Sequence, residues 1–431
     1  MRVLVLGASG FIGLHLAIAL KAAGHQVLAG SRRRSPAFET SGLSWIQADF
    51  ARLSSPEAWR TVLADVDAVV NCVGVLQDAP GDSTRLAHET GPEALFHACE
   101  TAGVQRVIHI SAVGADEAAG TEYAISKLGT ERRLAATGLN WIVLRPSLVT
   151  ARTVYGGTAL LRGLAGFPGV TPVLGGAQVF RPVTIEDLGQ AVRRLLEPGA
   201  PSSRVLEIAG PEPISLVAML RAYRRWLGFG PAPIVRVPGW AAWPLIKAGD
   251  LVALLGWTSS FRSTAVRQMN HAVEGDAETW TAMTGVQPVG FSDGLAAQPA
   301  SVQDRWHARL FFLRPLAVIV LGLFWVLVGV LGLVTPARPA AAVMLEEAGF
   351  GSGSQLVSDL GHSMDLALGL ALFFRRWTRA AALAMVAVCL VYLTGATIWF
   401  PHLWLDPLAP WLKVFPVIVL GLLVAATDDR R

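Results

Sequence analysis

Two hydrophobic rhythms divide the chain. Up to about residue 230, short apolar runs alternate with stretches in which apolar positions recur every three or four residues. The runs predict strands buried on both faces of a sheet, and the recurrences predict amphipathic helices. Runs at 2–6, 26–30, 43–48, 68–72, 106–110, 140–144 and 204–208 give the strands. Helical spacing after Gly13, over about 84–101, after the N-cap Thr184 with Asp187 at its third position, and over 214–227 gives helices between them. This alternation predicts an α/β doubly wound parallel sheet. From Leu310 the rhythm is lost. An uncharged apolar stretch at 316–334 and three more apolar stretches at 356–374, 380–400 and 411–426 are each of spanning length and predict an all-α four-helix transmembrane bundle.

Between these halves the pattern is broken. Pro231, Pro233, Pro238 and Pro244 punctuate its start, and the Trp-rich stretch 238–257 is interrupted by Pro244, Lys247 and Asp250. That is too interrupted to span a bilayer; it predicts either an interfacial helix or a helix closing a substrate cleft. Short helices are predicted over 264–271 and 277–283, and a linker over 296–301. The expected domains are therefore 1–228, a connecting segment or substrate lobe at 229–305, and a membrane domain at 306–431.

Composition agrees with the division. The chain is 52% hydrophobic and 16% charged, too apolar for an ordinary soluble protein, and the excess lies after residue 305. The net charge of +4 comes with no basic stripe interleaved with aromatics, so a nucleic-acid partner is not expected. Cys72, Cys99 and Cys389 show no paired spacing and read as reduced, buried thiols without disulfide or metal use. The first strand begins at residue 2, so no signal peptide is expected. Arg305, Arg309 and Arg314 precede the first span, Arg375, Arg376 and Arg379 join the second to the third, and Arg430 and Arg431 end the chain. The opposite loops hold Arg338, Glu346, Glu347, His402 and Asp406, with Lys413 at the start of the fourth span. The bias predicts a multi-pass protein of the cell inner membrane with both termini cytoplasmic. Trp377, Trp399, Trp404 and Trp411 suit interfacial belts.

The candidate chemistry begins in MRVLVLGASGFIG. Gly7, Gly10 and Gly13 stand between the first strand and the first helix, with Ser9, Phe11 and Ile12 among them. Strand, glycine turn and helix is the context of a dinucleotide site: the backbone approaches a pyrophosphate, and the helix N-terminus offers N–H groups and positive dipole. After the second strand come Ser31 and Arg32-Arg33-Arg34, with no acid before Glu39. Arg32 suits the 2′-phosphate of NADP(H), which is preferred here over NAD(H). Asp49-Phe50 at the third strand end would meet the adenine, unless Asp49 caps the helix from Ser54 or Ser55; Val73-Gly74 after the fourth would run under the cofactor. Ser111 ends the fifth strand, and Tyr123 and Lys127 share one face of a helix four residues apart. An ammonium beside a phenol eases proton exchange, so Tyr123 is the candidate acid/base and Lys127 its activator and ribose ligand. Ser111 would hold a substrate oxygen. His88 and His97 read as satisfied by core or solvent.

These residues carry a resemblance. GASGFIG, the Asp49 strand end, Ser111, YAISK and WIVLRPS resemble the short-chain dehydrogenase/reductase superfamily over roughly residues 1–230. The short Ser-to-Tyr loop and GVQRVIHISAVGA are similar to its atypical extended branch, which includes the nucleotide-binding accessory subunit of respiratory complex I and NmrA-like proteins. The resemblance implies an NAD(P)-binding Rossmann domain, with Pro146 and Ser147 passing the nicotinamide. One departure is that the helix over 84–101 holds no Asn, where some members have a fourth catalytic group. Residues 310–427 resemble the DoxX-like family, some of whose members work with quinone-linked oxidoreductases. The expected function is a membrane-anchored oxidoreductase for a lipophilic carbonyl, alcohol or quinone; the alternative is a non-catalytic NADPH-binding scaffold or sensor of a membrane complex. Asp359, His362 and Asp365 in the second span read either as a proton or quinone site or as a polar seam.

Overall fold

Successive side chains of a strand point to opposite faces, so a strand apolar throughout needs cover on both sides. The computed structural model, which describes residues 1–79, 81–118, 120–257, 263–270, 275–334 and 337–428, supplies that cover. Strands β1 (Arg2–Leu6), β2 (Gln26–Ser31), β3 (Ser44–Gln47), β4 (Ala68–Asn71), β5 (Arg106–Ile110), β6 (Trp141–Pro146) and β7 (Arg204–Ile208) form one sheet in the order 7-6-5-4-1-2-3, every pair parallel. Helices α1 (Phe11–Ala22), α2 (Gly91–Ala102), α3 (Glu122–Ala135) and α4 (Ile185–Leu195) lie among them in the chain. Val3, Val5, Val70 and Ile108 pack with α1 and α4 on one face; Leu4, Leu6, Val69 and Val107 pack with α2 and α3 on the other. The strand order reverses between β1 and β4, whose registers pair Val5 with Ala29 on one side and Val70 on the other. In such sheets ligands bind outside the carboxyl ends of the strands at this reversal.

The helix expected over 84–101 is divided. A π-helical turn at Leu86–Thr90 leads into α2, with Pro92 in its first turn. Proline has no N–H to give to the carbonyl four residues back. That carbonyl belongs to His88, and the Thr130 hydroxyl of α3 donates to it instead. His271, Arg430 and Arg431 lie outside the described residues.

The chain forms two compact units, Met1–Asp250 with Ser259–Ala308, and Leu251–Thr258 with Arg309–Arg431. The Trp-rich stretch forms a helix, Gly239–Ala253, whose residues up to Asp250 belong to the first unit, with Pro244 inside it and Trp240 and Trp243 exposed at 80% and 60%. The second contains most of α5 (Val302–Val334), and all of α6 (Ser354–Phe373), α7 (Thr378–Trp399) and α8 (Val414–Ala426). Small residues bring these helices close. A Cβ on Gly329 would stand 2.6 Å from the His362 carbonyl, and one on Gly369 2.7 Å from the Val326 nitrogen.

Among the described residues, three helical segments, Val302–Val334, Pro339–Phe373 and Thr378–Trp399, are long and apolar enough to cross a membrane. The fourth expected span is shorter than drawn. Residues 411–413 form a turn, and α8 has 13 residues, about 20 Å against a hydrocarbon core of about 30 Å. Within α6, Ser354, Ser358, Asp365, Gly369 and Leu372 form the buried stripe. Asp365 accepts from the Tyr392 hydroxyl at 3.2 Å. Asp359 lies about 120° round the helix from Asp365, with His362 midway, and accepts from Gln355 at 2.9 Å.

Candidate functional site

The phosphate end is built from backbone. Gly7 holds φ +71, and a Cβ there would meet the Cys72 carbonyl at 3.0 Å. Gly10 donates its N–H to the Gly7 carbonyl at 2.9 Å. A Cβ on Gly13 would lie 2.3 Å from the Gly7 oxygen, so only glycine lets α1 close onto the turn. Gly10 is the N-cap of α1 and provides no side-chain cap, and Ser9 and Gly10 are exposed. The first turn of α1 at Phe11, Ile12 and Gly13 is therefore a cradle of backbone donors that fits a pyrophosphate. Phe11 stacks on Tyr155 with ring centroids 5.9 Å apart.

At the adenosine end, β2 delivers Ser31 and Arg32. The Ser31 hydroxyl donates to the Arg33 carbonyl at 2.7 Å and accepts from the Trp45 indole at 3.0 Å. Arg32 donates to the Gly81 carbonyl at 2.6 Å and pairs with Asp82 at 2.8 Å. Asp49 accepts from the Ala51 N–H at 3.1 Å and so closes its own turn; Ser55, not Asp49, stands at the N-cap position of the short helix Pro56–Trp59, with no side-chain cap hydrogen bond. The Phe50 ring is core, edge-on to Trp59 at 5.8 Å.

At the far end, Thr121 caps α3 by accepting from the Ala124 N–H at 3.2 Å, which sets Tyr123 and Lys127 one turn apart. Lys127 is 3% exposed and donates its ammonium to the Ile110 carbonyl at 3.0 Å. A Cβ on Gly74 would stand 3.1 Å from that ammonium, and Val73 donates its N–H to Asn71 at 3.1 Å. Burial lowers the Lys127 ammonium to about 8, with Cys72 and Glu131 acting the other way. Tyr123 is half-buried, and burial pushes its phenol up to about 12. Ser111 is buried, and its hydroxyl donates to Glu131, which Arg145 grips at 2.6 and 3.0 Å. Pro146 is buried at the end of β6, and its carbonyl accepts from Val113 at 3.1 Å.

His88, read from the sequence as satisfied by core or solvent, is fully buried with both ring nitrogens paired. Its Nε2 accepts the Val75 N–H at 3.1 Å, so the proton sits on Nδ1, which donates to the Ser126 hydroxyl at 2.8 Å. Ser126 donates in turn to the Tyr123 carbonyl at 3.0 Å, and the His88 ring meets Tyr123 edge-on at 5.7 Å. Burial and then the Lys127 charge hold His88 down to about 3, so it is neutral. It ties the loop after β4 to the first turn of α3. A histidine three residues before a Gly-Pro helix start was the available signal.

A parallel sheet with a glycine turn at its reversal point and a Tyr–Lys helix beside it defines a dinucleotide-binding α/β protein. Residues 7–168 match a family model described as NAD(P)H-binding, and residues 322–422 match that of the DoxX-like family. The chain thus carries an NAD(P)H-binding, reductase-like domain at its N-terminal end and a DoxX-like domain at its C-terminal end. It is 33% identical over 172 residues to a 2-alkyl-3-oxoalkanoate reductase of Stenotrophomonas maltophilia, covering 35% of this chain and 51% of that relative, about half its length. It is 27% identical over 289 residues to a 2′-dehydrokanamycin reductase of Streptomyces kanamyceticus, covering 61% of this chain and 76% of the other. In fold it is similar to UDP-glucuronic acid 4-epimerase from Bacillus cereus in complex with NAD. That match has a TM-score of 0.54 at 17% identity, covering 72% of this chain and all of that one.

Proposed function

We propose that the chain is a membrane-anchored reductase of the short-chain type. It prefers NADPH, takes NAD(H) second, and acts on a carbonyl of a lipophilic small molecule. One observation carries this reading: the Lys127 ammonium, one turn from Tyr123, is buried against Gly74 at the strand reversal. Two relatives named as reductases support the direction, and one of them is named for an alkyl-oxoalkanoate. The DoxX-like match and the apolar helices support delivery of the substrate from the bilayer. In this reading α8 and the turn before it complete a fourth span, and both termini are cytoplasmic.

With its pyrophosphate along the glycine turn, the cofactor would supply hydride to the carbonyl carbon from its nicotinamide. Burial pushes the Tyr123 phenol up to about 12, so it holds its proton on Oη at neutral pH, and it gives that proton to the carbonyl oxygen. The Lys127 ammonium stabilises the phenolate left behind. Ser111 anchors the oxygen on turning from Glu131. Because the Lys127 pKa is lowered, its charge is present below about 8 and lost as pH rises through it. Reductive kcat/KM is expected to be flat below that point and to fall above it, with the break gone in Lys127→Met. Initial rates of NADPH oxidation across pH check this.

The engagement of the Ser111 hydroxyl by Glu131 favours a second reading, an NADPH-binding scaffold or sensor of a quinone-linked membrane complex. Steady-state NADPH oxidation with membrane lipid extract separates the two. Turnover is expected; retained NADPH binding without turnover would establish the scaffold.

A further inference from the structure

The segment after β4 turns back toward the end of β2. Ala79 and Asp82 exchange backbone hydrogen bonds at 3.0 and 2.9 Å, and Gly81 between them holds φ +87. Asp78 accepts from the Thr84 N–H at 2.6 Å and from its hydroxyl at 2.8 Å, which fixes the far side of the turn. The turn therefore presents two oxygens, the Gly81 carbonyl and the Asp82 carboxylate, in a preset arrangement. The Arg32 guanidinium takes both, one on each terminal nitrogen.

A guanidinium fork reads paired oxygens, and a phosphate monoester offers the same pair. Arg32 leaves β2 where a dinucleotide's adenosine ribose is held. We propose that Asp82 is an internal stand-in for the 2′-phosphate of NADPH and competes with it for Arg32. This rests on the reading of Arg32 as the 2′-phosphate ligand. NADPH displaces Asp82 and frees the Asp82 carboxylate and the Gly81 carbonyl from Arg32, whereas NADH has no group that does so. Asp82 is thereby a specificity-determining residue that works against the phosphorylated cofactor.

The Arg32–Asp82 pair is partly open to water, with side chains 59% and 36% exposed. Such pairs are modest, so Asp82→Asn is expected to tighten NADPH only about 3- to 5-fold and to move NADH less than about 2-fold. Arg32→Ala is expected to weaken NADPH about 10-fold or more, since it removes a charged fork from a phosphate. In the Arg32→Ala background, Asp82→Asn should change neither affinity. The measurements are fluorescence titrations of full-length protein in detergent with NADPH and NADH, for wild type, both single variants and the double, each checked by thermal unfolding; Asp82→Ala serves as a second substitution. Equal tightening of both cofactors, or weaker NADPH binding in a folded Asp82 variant, overturns the competition while leaving Arg32 as phosphate ligand. Unchanged NADPH binding in Arg32→Ala overturns the reading of Arg32 and the competition with it.

Discussion

Tyr123→Phe is expected to lower NADPH-dependent reduction about 100- to 10,000-fold, the range for removal of a positioned acid. The substitution deletes one oxygen and keeps the ring that meets His88 edge-on. Tyr123 ties to Ser126 through its backbone carbonyl, so that bond survives as well. The phosphate cradle lies on α1 and is untouched. NADPH affinity and unfolding temperature should therefore stay within about 2-fold and a few degrees of wild type, because a volume-conserving change at a half-buried ring usually costs less than about 1.5 kcal/mol. Single-turnover and binding measurements on the same preparation check this. An equal loss of binding and turnover would mean that Tyr123 holds the fold and not the proton.

The largest stability effect is expected away from the chemistry. Arg162 of the helix Gly156–Ala165 and Asp304 in the first turn of α5 pair at 3.0 Å, with side chains 3% and 9% exposed. Arg162 also donates to the Arg152 and Ala151 carbonyls at 3.0 and 2.7 Å and lies over the Trp226 ring at 4.7 Å. Asp304 accepts from the N–H and the hydroxyl of Ser301, both at 2.7 Å, so it caps the start of its own helix while it neutralises the arginine. Asp304→Ala leaves a buried guanidinium without its counter-charge and is expected to cost about 3–5 kcal/mol. In thermal unfolding of the detergent-solubilised protein that is a drop on the order of 10 °C. Asp304→Asn keeps a cap acceptor and should lose less than Ala. Arg162→Met combined with Asp304→Ala should recover part of the loss, because the stranded charge is gone. A double variant no better than the sum of the singles would show that the pair's charges are not coupled.

What could be read along the chain was whatever is local. The glycine spacing, the strand runs and the four-residue step from Tyr123 to Lys127 each depend on neighbours in sequence, and the structure places them together at the reversal point of the sheet. The partners of these groups are remote. His88 reaches Ser126 and Val75, Ser111 reaches Glu131, Arg32 reaches Asp82, and Arg162 reaches Asp304 across 142 positions. No periodicity records such pairs, so the sequence does not show that Arg32 is held by Asp82 or that His88 joins Ser126 to Val75. The undivided helix over 84–101 was drawn from apolar spacing, which does not register that Pro92 withholds one hydrogen bond. The fourth expected span exceeds α8 for a related reason. Hydropathy counts the apolar Trp411 and Leu412, whereas the backbone at 411–413 turns.

The account stands most directly on isothermal titration of the full-length protein with NADPH. It predicts saturable binding of one nucleotide per chain, tighter than NADH under the same salt. Titrations with both nucleotides that release or absorb no heat, confirmed by unchanged unfolding temperatures at saturating nucleotide, would contradict it.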